Sequence, residues 1–481
     1  MNFLAQKKNY NSLEEPGSWT LEDIQRCQDL THVLFVSDEG EISKASRDFG
    51  AIAFGNPIAI SVPRTPLECK ALVDFANHRN LKFTLRGKGL SQGGQTLAPS
   101  GTVTIDCSEI NDVETPDHKT QTVTCQAGAT WRSVVTMTSA HGLVPQIIPF
   151  FPELTVGGVL SIGGIGGNSH LHGTVNSNVR ELEVVTGRGD FIRCSSTQEP
   201  DLFESSLSGL GRCGIITSAT LYLRPFKPKV KTFYLFYLDH EDWLSDQRKI
   251  VESKAYDYLE AFCGPLPLGL QPHDKGWKPF FHWFYYLQVS VEFEGEEPTE
   301  DCLEDLLYKQ LLNCGISDTL SFLMRYGARA ENMKRSGGWM QSHPWWECIL
   351  PIEMMSQILP FLLEKLPLFL GDGLGYRFFT LGGNCPPAFA LPSSEVPIGM
   401  AVLPMGVDQS QLQNVLETFQ EIDKWLLPLG GKRYLSGWLG SMTEKCWKRH
   451  YGDYYEKWIE RKKKYDPNNV FHSLLLDQIF L

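Results

Sequence analysis

None of the twelve cysteines is paired in a C-x-x-C spacing, which excludes the common zinc-knuckle and redox-dithiol arrangements. The scattered thiols read as small buried hydrophobes of a reducing compartment, with room for a disulfide or two. Positive charge is scarce. Lys and Arg number 44 against 56 Asp and Glu, a formal charge of −12, which argues against a broad phosphate-binding face and so against a nucleic-acid partner. Long apolar runs are missing too: "ILPFLLEKLPLFL", Ile358 to Leu370, is broken by proline and charge and is too short to span a bilayer. The opening, "MNFLAQKKNY", lacks the apolar run of a secretory signal. There is no internal repeat and no low-complexity tract. These absences predict a soluble, cytoplasmic protein with no membrane partner, a monomer by default.

What is present is length and glycine. A chain of 481 residues is long for a single core, so two domains are expected. From about Ile58 to Pro225, short β-branched runs alternate with helical patterns. "IAISVP" reads as a strand. A helix follows, with Thr65 as N-cap, Pro66 at its first position and Glu68 closing a capping box. "FTLRG", "TVTIDC" and "TVTCQAG" read as strands, "TWRSVVTMTSAHGLV" as a helix, and "VRELEVVTGRGDFIRC" as a hairpin. Past Phe226 aromatics become dense ("FYLFYL", "FFHWFYYLQVSVEF") and are interleaved with amphipathic stretches such as "EDWLSDQRKIVESKAYDYLEAF", read here as one long helix. The tail after Gly430 is charged helix. The fold class is therefore α+β. One domain comprises residues 1–225 and 431–481; the other, residues 226–430, is an antiparallel sheet covered by helices.

The 43 glycines cluster at three places: Arg86–Gln95, "RGKGLSQGGQ"; Leu154–Gly173, "LTVGGVLSIGGIGGNSHLHG"; and Ser208–Thr217, "SGLGRCGIIT". Such density marks backbone that something approaches closely, and successive turn amides form nests for anions. No Walker lysine with Ser/Thr is present, and no G-x-G-x-x-G opens a helix after a strand with an acid about 20 residues on. Tight turns in a β-rich domain remain the plain alternative.

These glycine-rich segments, with "VRELEVVTGRGD" and "DLFESSLSGLGRCGIITSATLYLRP", resemble the FAD-binding domain of the vanillyl-alcohol-oxidase/p-cresol-methylhydroxylase superfamily. "ASRDFGAIAFGNPIAISVPRTP", "AYDYLEAF", "HPWWECILP", "KRYLSGW" and the closing "WKRHYGDYYEKWIERKKKYDPNNVF" resemble the cytokinin dehydrogenases within it. The resemblance implies FAD between two domains. Arg86, Gly87, Lys88, Gly89, Leu90 and Ser91, with Gly93 and Gln95, would cradle its pyrophosphate. Thr155, Gly157, Gly158 and Ser161, then Gly164, Gly167, Asn168 and His172, would run along it. Gly211, Gly214, Ile215 and Ile216 would hold its adenine–ribose end, with Gln478 contributing from the tail.

Two departures stand out. Where the family commonly has G-H-S, with the histidine bonded to the flavin, this chain has Gly89-Leu90-Ser91, so that bond cannot form. Either FAD is held noncovalently, or the site has decayed into one that binds a ligand without chemistry. The family also places an aspartate base just before "LTVGG"; here "IPFFPELTVGG" offers only Glu153. Glu260, in "YDYLEAF", matches the family's substrate-domain glutamate, although it also suits a solvated helix charge. Glu260 and Glu153 are thus the candidate catalytic residues, handling the amine proton. His343, Trp345 and Glu347 are candidates for the substrate pocket, with Glu347 replacing a family asparagine. His170 and His172 lack a third ligand, and no metal is expected. The implied activity is FAD-dependent oxidation of a C–N bond in a small amine of the N6-alkyl adenine type. A related oxidase of alcohols, sugars or a biosynthetic intermediate is the alternative.

Overall fold

A computed structural model describes residues 17–274, 276–371, 375–440 and 442–476. The fold is α+β and is built on three sheets. The first has four strands in the order Leu34–Val36, Ala59–Val62, Val103–Asp106, Phe83–Arg86; its last three are parallel, and Leu34–Val36 adds antiparallel at the edge. The helix Pro66–Arg79 connects two parallel strands, as such pairs require. Thr65 caps it by accepting from the Glu68 amide (3.1 Å), but the expected capping box is incomplete: the Glu68 carboxylate accepts from the Arg64 amide (2.6 Å) instead of that of Thr65.

The second sheet pairs Thr122–Gln126, Gly214–Pro225, Val179–Thr186 and Phe191–Ser195, with Leu143–Pro145 also joined to Gly214–Pro225. The third is an eight-stranded antiparallel sheet. The long strands Tyr258–His273 and Gly276–Phe293 lie within it, and Trp346–Pro351 lies near its far edge. Pro225 ends a strand of the second sheet, and Lys229 starts one of the third. Its largest core cluster gathers Trp243, Leu287, Trp346, Met400 and Phe419 between this sheet and its helices.

Two sequence expectations are corrected here. The stretch read as one helix from Glu241 to Phe262 divides: the helix His240–Ser253 stops where Lys254 adopts a left-handed conformation (φ 54°), and Tyr258 begins a strand. The tail is not confined to the first domain either, because Lys432–Arg433 pairs with Cys348 and Ile349 in the eight-stranded sheet.

The remainder of the tail returns to the first sheet. The Phe83 amide donates to the Val470 carbonyl (2.7 Å), and the His472 amide donates to that of Phe83 (3.0 Å). A buried Lys462–Asp466 pair holds this return. Asp466 accepts from the Val470 and Phe471 amides, while Lys462 Nζ donates to the carbonyls of Arg212 and Phe471. The Arg212 guanidinium lies 3.4 Å from the Trp458 ring centre. The tail thereby locks the third glycine cluster against the strand that leads into the first.

Candidate functional site: two cavities with a common wall

The first glycine loop leaves the C-terminal end of the parallel strand Phe83–Arg86, where open α/β sheets place ligands. Its carbonyls are drawn to one side: that of Gly89 accepts from the Phe49 amide (2.9 Å), that of Ser91 from Gly50 (3.0 Å), and that of Leu90 from the Gln92 side chain (2.6 Å). Among the described residues, no protein group accepts from the backbone amides of Lys88, Gly89, Leu90 or Ser91. All four residues line a cavity of about 200 Å³. Consecutive uncommitted amides form an anion nest, so this donor set fits a diphosphate.

The loop's shape is enforced from behind. Arg86 lines this cavity, and its guanidinium donates to the carbonyls of Lys44, Ala45 and Arg47 at the end of the helix Glu39–Ala45. Gly89 sits directly over that guanidinium at φ +65°, and a Cβ there would come within 2.1 Å of Arg86 Nη2. Asp48, which sequence reading missed, is buried and ties the loop down. It accepts from Ser91 Oγ (3.2 Å) and from the amides of Gly94 (3.0 Å) and Ala51 (3.1 Å). Burial raises its pKa despite these bonds.

Gln95, Thr155, Gly157, Gly158 and Ser161 also line this cavity, as do Gly211, Gly214, Ile215 and Ile216. Of the other expected cofactor residues, Arg86 and Gly87 line this cavity too, and the rest lie elsewhere. Gly93 packs on the Gly437 carbonyl, and Gly164 lines the neighbouring cavity. The Gly167 carbonyl accepts from Leu259, Asn168 donates to the Gln146 carbonyl, and His172 meets the Gln146 side chain. Gln478 is outside the described residues; among the described tail residues, His472, Ser473 and Leu476 line this cavity. Cys107 also reaches this cavity, but burial pushes its thiol up to about 12, so it is a poor nucleophile. Cys213 is buried and does not line it.

A second cavity of about 210 Å³ adjoins the first. Both are lined by Leu90, Leu154, Val159, Tyr434 and Ser436, which form their common wall. The Tyr434 hydroxyl, held by the Gly164 amide at 3.1 Å, fixes that wall. Leu90 therefore stands at the junction. The second cavity is mostly aromatic, with Phe49, Phe150, Phe262, Trp345 and Phe379 among its walls, and it contains Glu260, Glu347, Arg329 and Arg377. The Arg377 guanidinium lies 5.5 Å from the Phe262 ring centre, and that of Arg329 lies 5.4 Å from Trp345.

Glu260 faces inward from a strand and is 5% exposed, so it is not a solvated helix charge. Its Oε1 accepts from Arg325 and its Oε2 from the Tyr326 hydroxyl. Glu153 does not join it. Glu153 is about two-fifths exposed, pairs with Arg132 on the surface and lines neither cavity. The helix Trp131–Ser139 places Arg132 beside the "FPEL" turn, and this local ion pair takes the carboxylate away from the site.

Trp345 and Glu347 line the second cavity, but His343 is behind it: it stacks on Phe49 at 3.9 Å, and its Nδ1 donates to the Phe49 carbonyl. Glu347 is buried, accepts from Ser436 Oγ at 2.9 Å, and is pushed up to about 7 by that burial. Sequence reasoning gave no individual role to Tyr434, Ser436, Tyr326, Arg329 or Arg377, and only "KRYLSGW" marked the first two. Among the described residues no cluster suits a metal ion, and no helix is long and apolar enough to cross a membrane.

Comparison with known proteins matches two stretches of the chain. A family model for an FAD binding domain matches residues 57–195, and one described as "Cytokinin dehydrogenase 1, FAD and cytokinin binding" matches residues 284–474. Cytokinin dehydrogenase 9 of Oryza sativa subsp. japonica is 28% identical over 461 residues, covering 89% of this chain and 87% of its own length. Cytokinin dehydrogenase 1 of Arabidopsis thaliana is 28% identical over 460 residues, covering 89% and 80%. An uncharacterized oxidoreductase, ORF5 in the fasciation locus of Rhodococcoides fascians, is 26% identical over 446 residues, covering 91% and 97%. Glu347 falls within the second matched stretch, whereas Glu260 falls between the two.

Proposed function

Because the chain belongs to the cytokinin dehydrogenase family of FAD-dependent oxidoreductases, we propose that it oxidises a C–N bond of a small amine of the N6-alkyl adenine type, using FAD held without a covalent bond. The common wall between the two cavities carries this reading. It separates a nest of uncommitted amides from an aromatic chamber with two buried carboxylates, which supports reading the two cavities as neighbouring cofactor and substrate sites.

The amides of Lys88 to Ser91, with Thr155, Ser161, Ile215, Ile216, His472 and Ser473, would hold the cofactor. Leu90 offers only hydrocarbon to it, so no bond to the flavin forms at that position. FAD, when bound, supplies the hydride acceptor. The chain's residues do the remaining work. Phe262, Trp345 and Phe379 give a planar heterocycle flat apolar faces and exclude water. Glu260, fixed as an anion between Arg325 and Tyr326, accepts a hydrogen bond from a substrate N–H and orients it. Oxidation leaves an imine, which water converts to an aldehyde and a free amine. The uncommitted amides favour a working cofactor site over a decayed one, and the aromatic lining favours a flat amine over a sugar. Twelve free thiols support a reducing compartment such as the cytoplasm.

Product analysis tests this reading. Isopentenyladenine incubated with the holoprotein and an artificial electron acceptor is expected to yield adenine and the matching aldehyde in equal amounts. Turnover of alcohols or sugars with no adenine released overturns the assignment.

A further inference from the structure

We propose that Glu347 is the base that removes the nitrogen-bound proton of the substrate, a role that rests on the amine-oxidation reading above. Glu153, the candidate suggested by its position in the sequence, is on the surface in an ion pair. Glu260 is inside, but both its oxygens are committed, one to a guanidinium and one to a phenol. A carboxylate held as an anion by a cation is a good anchor and a weak base.

Glu347 differs on each count. It lies at the start of the strand Trp346–Pro351, is 7% exposed and lines the substrate cavity. Among the described residues its carboxylate has one hydrogen-bond partner, Ser436 Oγ at 2.9 Å, and no cation in ion-pair contact. Ser436 lines both cavities, so this carboxylate is adjacent to the wall between substrate and cofactor.

The charged and titratable groups around Glu347 leave it largely uncompensated. Arg433, on the adjoining strand, directs its guanidinium to Asp423, to the Trp438 carbonyl and to the backbone carbonyl of Glu347. Tyr434 contributes a phenol from the same segment. On the other side, the cross-strand partner is the neutral Ala401. One strand further, Arg377 pairs with the same Ala401, and Glu260, Tyr326 and Arg329 line the same cavity. Burial outweighs the pull of Arg433 and brings the group to about 7, where a carboxylate exchanges protons readily at neutral pH.

In the step itself, the N–H bond breaks and its proton goes to a Glu347 oxygen. The electron pair left on nitrogen becomes the second bond of C=N. The neighbouring C–H bond breaks with its pair, leaving as hydride to the FAD that the family's activity supplies. The substrate loses two electrons, and Glu347 returns its proton to solvent before the next turnover.

The test compares kcat and kcat/KM against pH for wild-type holoprotein, Glu347→Gln, Glu347→Asp and Glu260→Gln. Flavin content is read by absorbance, and protonated carboxyl groups by infrared pH-difference spectra. Wild type is expected to gain activity through a midpoint near 7, with a carboxylic-acid band disappearing over the same range. Glu347→Gln is expected to keep its flavin, lose both the band and the ascending limb, and drop in kcat by about 10²–10⁴-fold. Glu347→Asp is expected to restore part of the rate. Glu260→Gln is expected to raise KM and keep the limb.

A Glu347→Gln variant with an intact limb and kcat within a few-fold of wild type overturns the proposal, as does a limb lost only in Glu260→Gln. If Glu347→Gln fails to retain flavin, the wild-type spectrum and Glu347→Asp decide: absence of a band titrating near 7, or an unshifted limb in Glu347→Asp, overturns it. A wild-type protein that shows the band but oxidises no amine contradicts the parent reading instead, and the catalytic assignment falls with it.

Discussion

Arg325, from outside the lining of the second cavity, closes on Glu260, so the buried carboxylate expected to meet the substrate is already engaged by a cation, with Tyr326 occupying its other oxygen. This arrangement is the basis for proposing that Glu260 orients the substrate while another group removes the proton.

Replacing Glu260 by Gln breaks the pair and leaves Arg325 without its counter-charge. Breaking a fully buried pair costs about 3–5 kcal/mol. The Arg325 side chain keeps 27% exposure, so the expected loss in a urea melt is smaller, about 2 kcal/mol. KM for the amine should rise at least about tenfold, the effect of losing one charge-assisted hydrogen bond of about 1.5–3 kcal/mol.

Glu153→Gln should change almost nothing. Exposed ion pairs such as Glu153–Arg132 contribute about 0–1 kcal/mol, and the side chain reaches neither cavity. Steady-state kinetics should show kcat within about twofold of wild type, since no transition-state contact is removed. A loss of about a hundredfold or more would make Glu153 the base after all.

The flavin loop should fail when its shape is disturbed. Gly89→Ala puts a methyl into the Arg86 guanidinium at a positive φ, a strain of about 1–3 kcal/mol. Asp48→Ala removes three hydrogen bonds that anchor the loop. Each variant should bind FAD about 10–100-fold more weakly in a fluorescence titration. Wild-type protein precipitated with acid should release all its flavin to the supernatant, because Leu90 cannot retain it.

Glu347 also predicts a pH-dependent stability. Its pKa is raised from the ordinary 4.5 to about 7 in the folded state. Its contribution to stability is therefore fully present below 4.5 and is lost as pH rises through about 7. The loss amounts to about 3 kcal/mol at most. Thermal melts should show Glu347→Gln stabilised relative to wild type at pH above about 8 and not at about 5, since only the ionised carboxylate carries the desolvation cost.

Much of the first domain was legible because its signals are local. Thr65 and Pro66 announced their helix, the period-two run "VRELEVV" announced its strand, and the glycine clusters announced a close backbone approach. The second domain was harder to read. "AYDYLEAF" suits either a helix or a strand by its apolar pattern, and the left-handed Lys254 that ends the helix carries no sequence mark. The candidate site was half legible for the same reason. Loop residues on either side of Leu90 are adjacent in sequence and stay adjacent in space. The substrate chamber brings together Phe49, Glu260, Tyr326, Glu347 and Ser436 from five separated segments. Glu153 looked correct along the chain and was drawn off by Arg132, a partner 21 residues away. That the Arg86 guanidinium forms the floor under Gly89 carried no mark in the sequence, because its carbonyl partners come from the separate segment Lys44 to Arg47.

An anaerobic titration of the holoprotein with isopentenyladenine, followed by flavin absorbance, tests amine oxidation at noncovalent FAD most directly. Complete bleaching by one equivalent of the amine is the predicted result. A flavin that stays oxidised under the amine and bleaches under an alcohol or a sugar would contradict it.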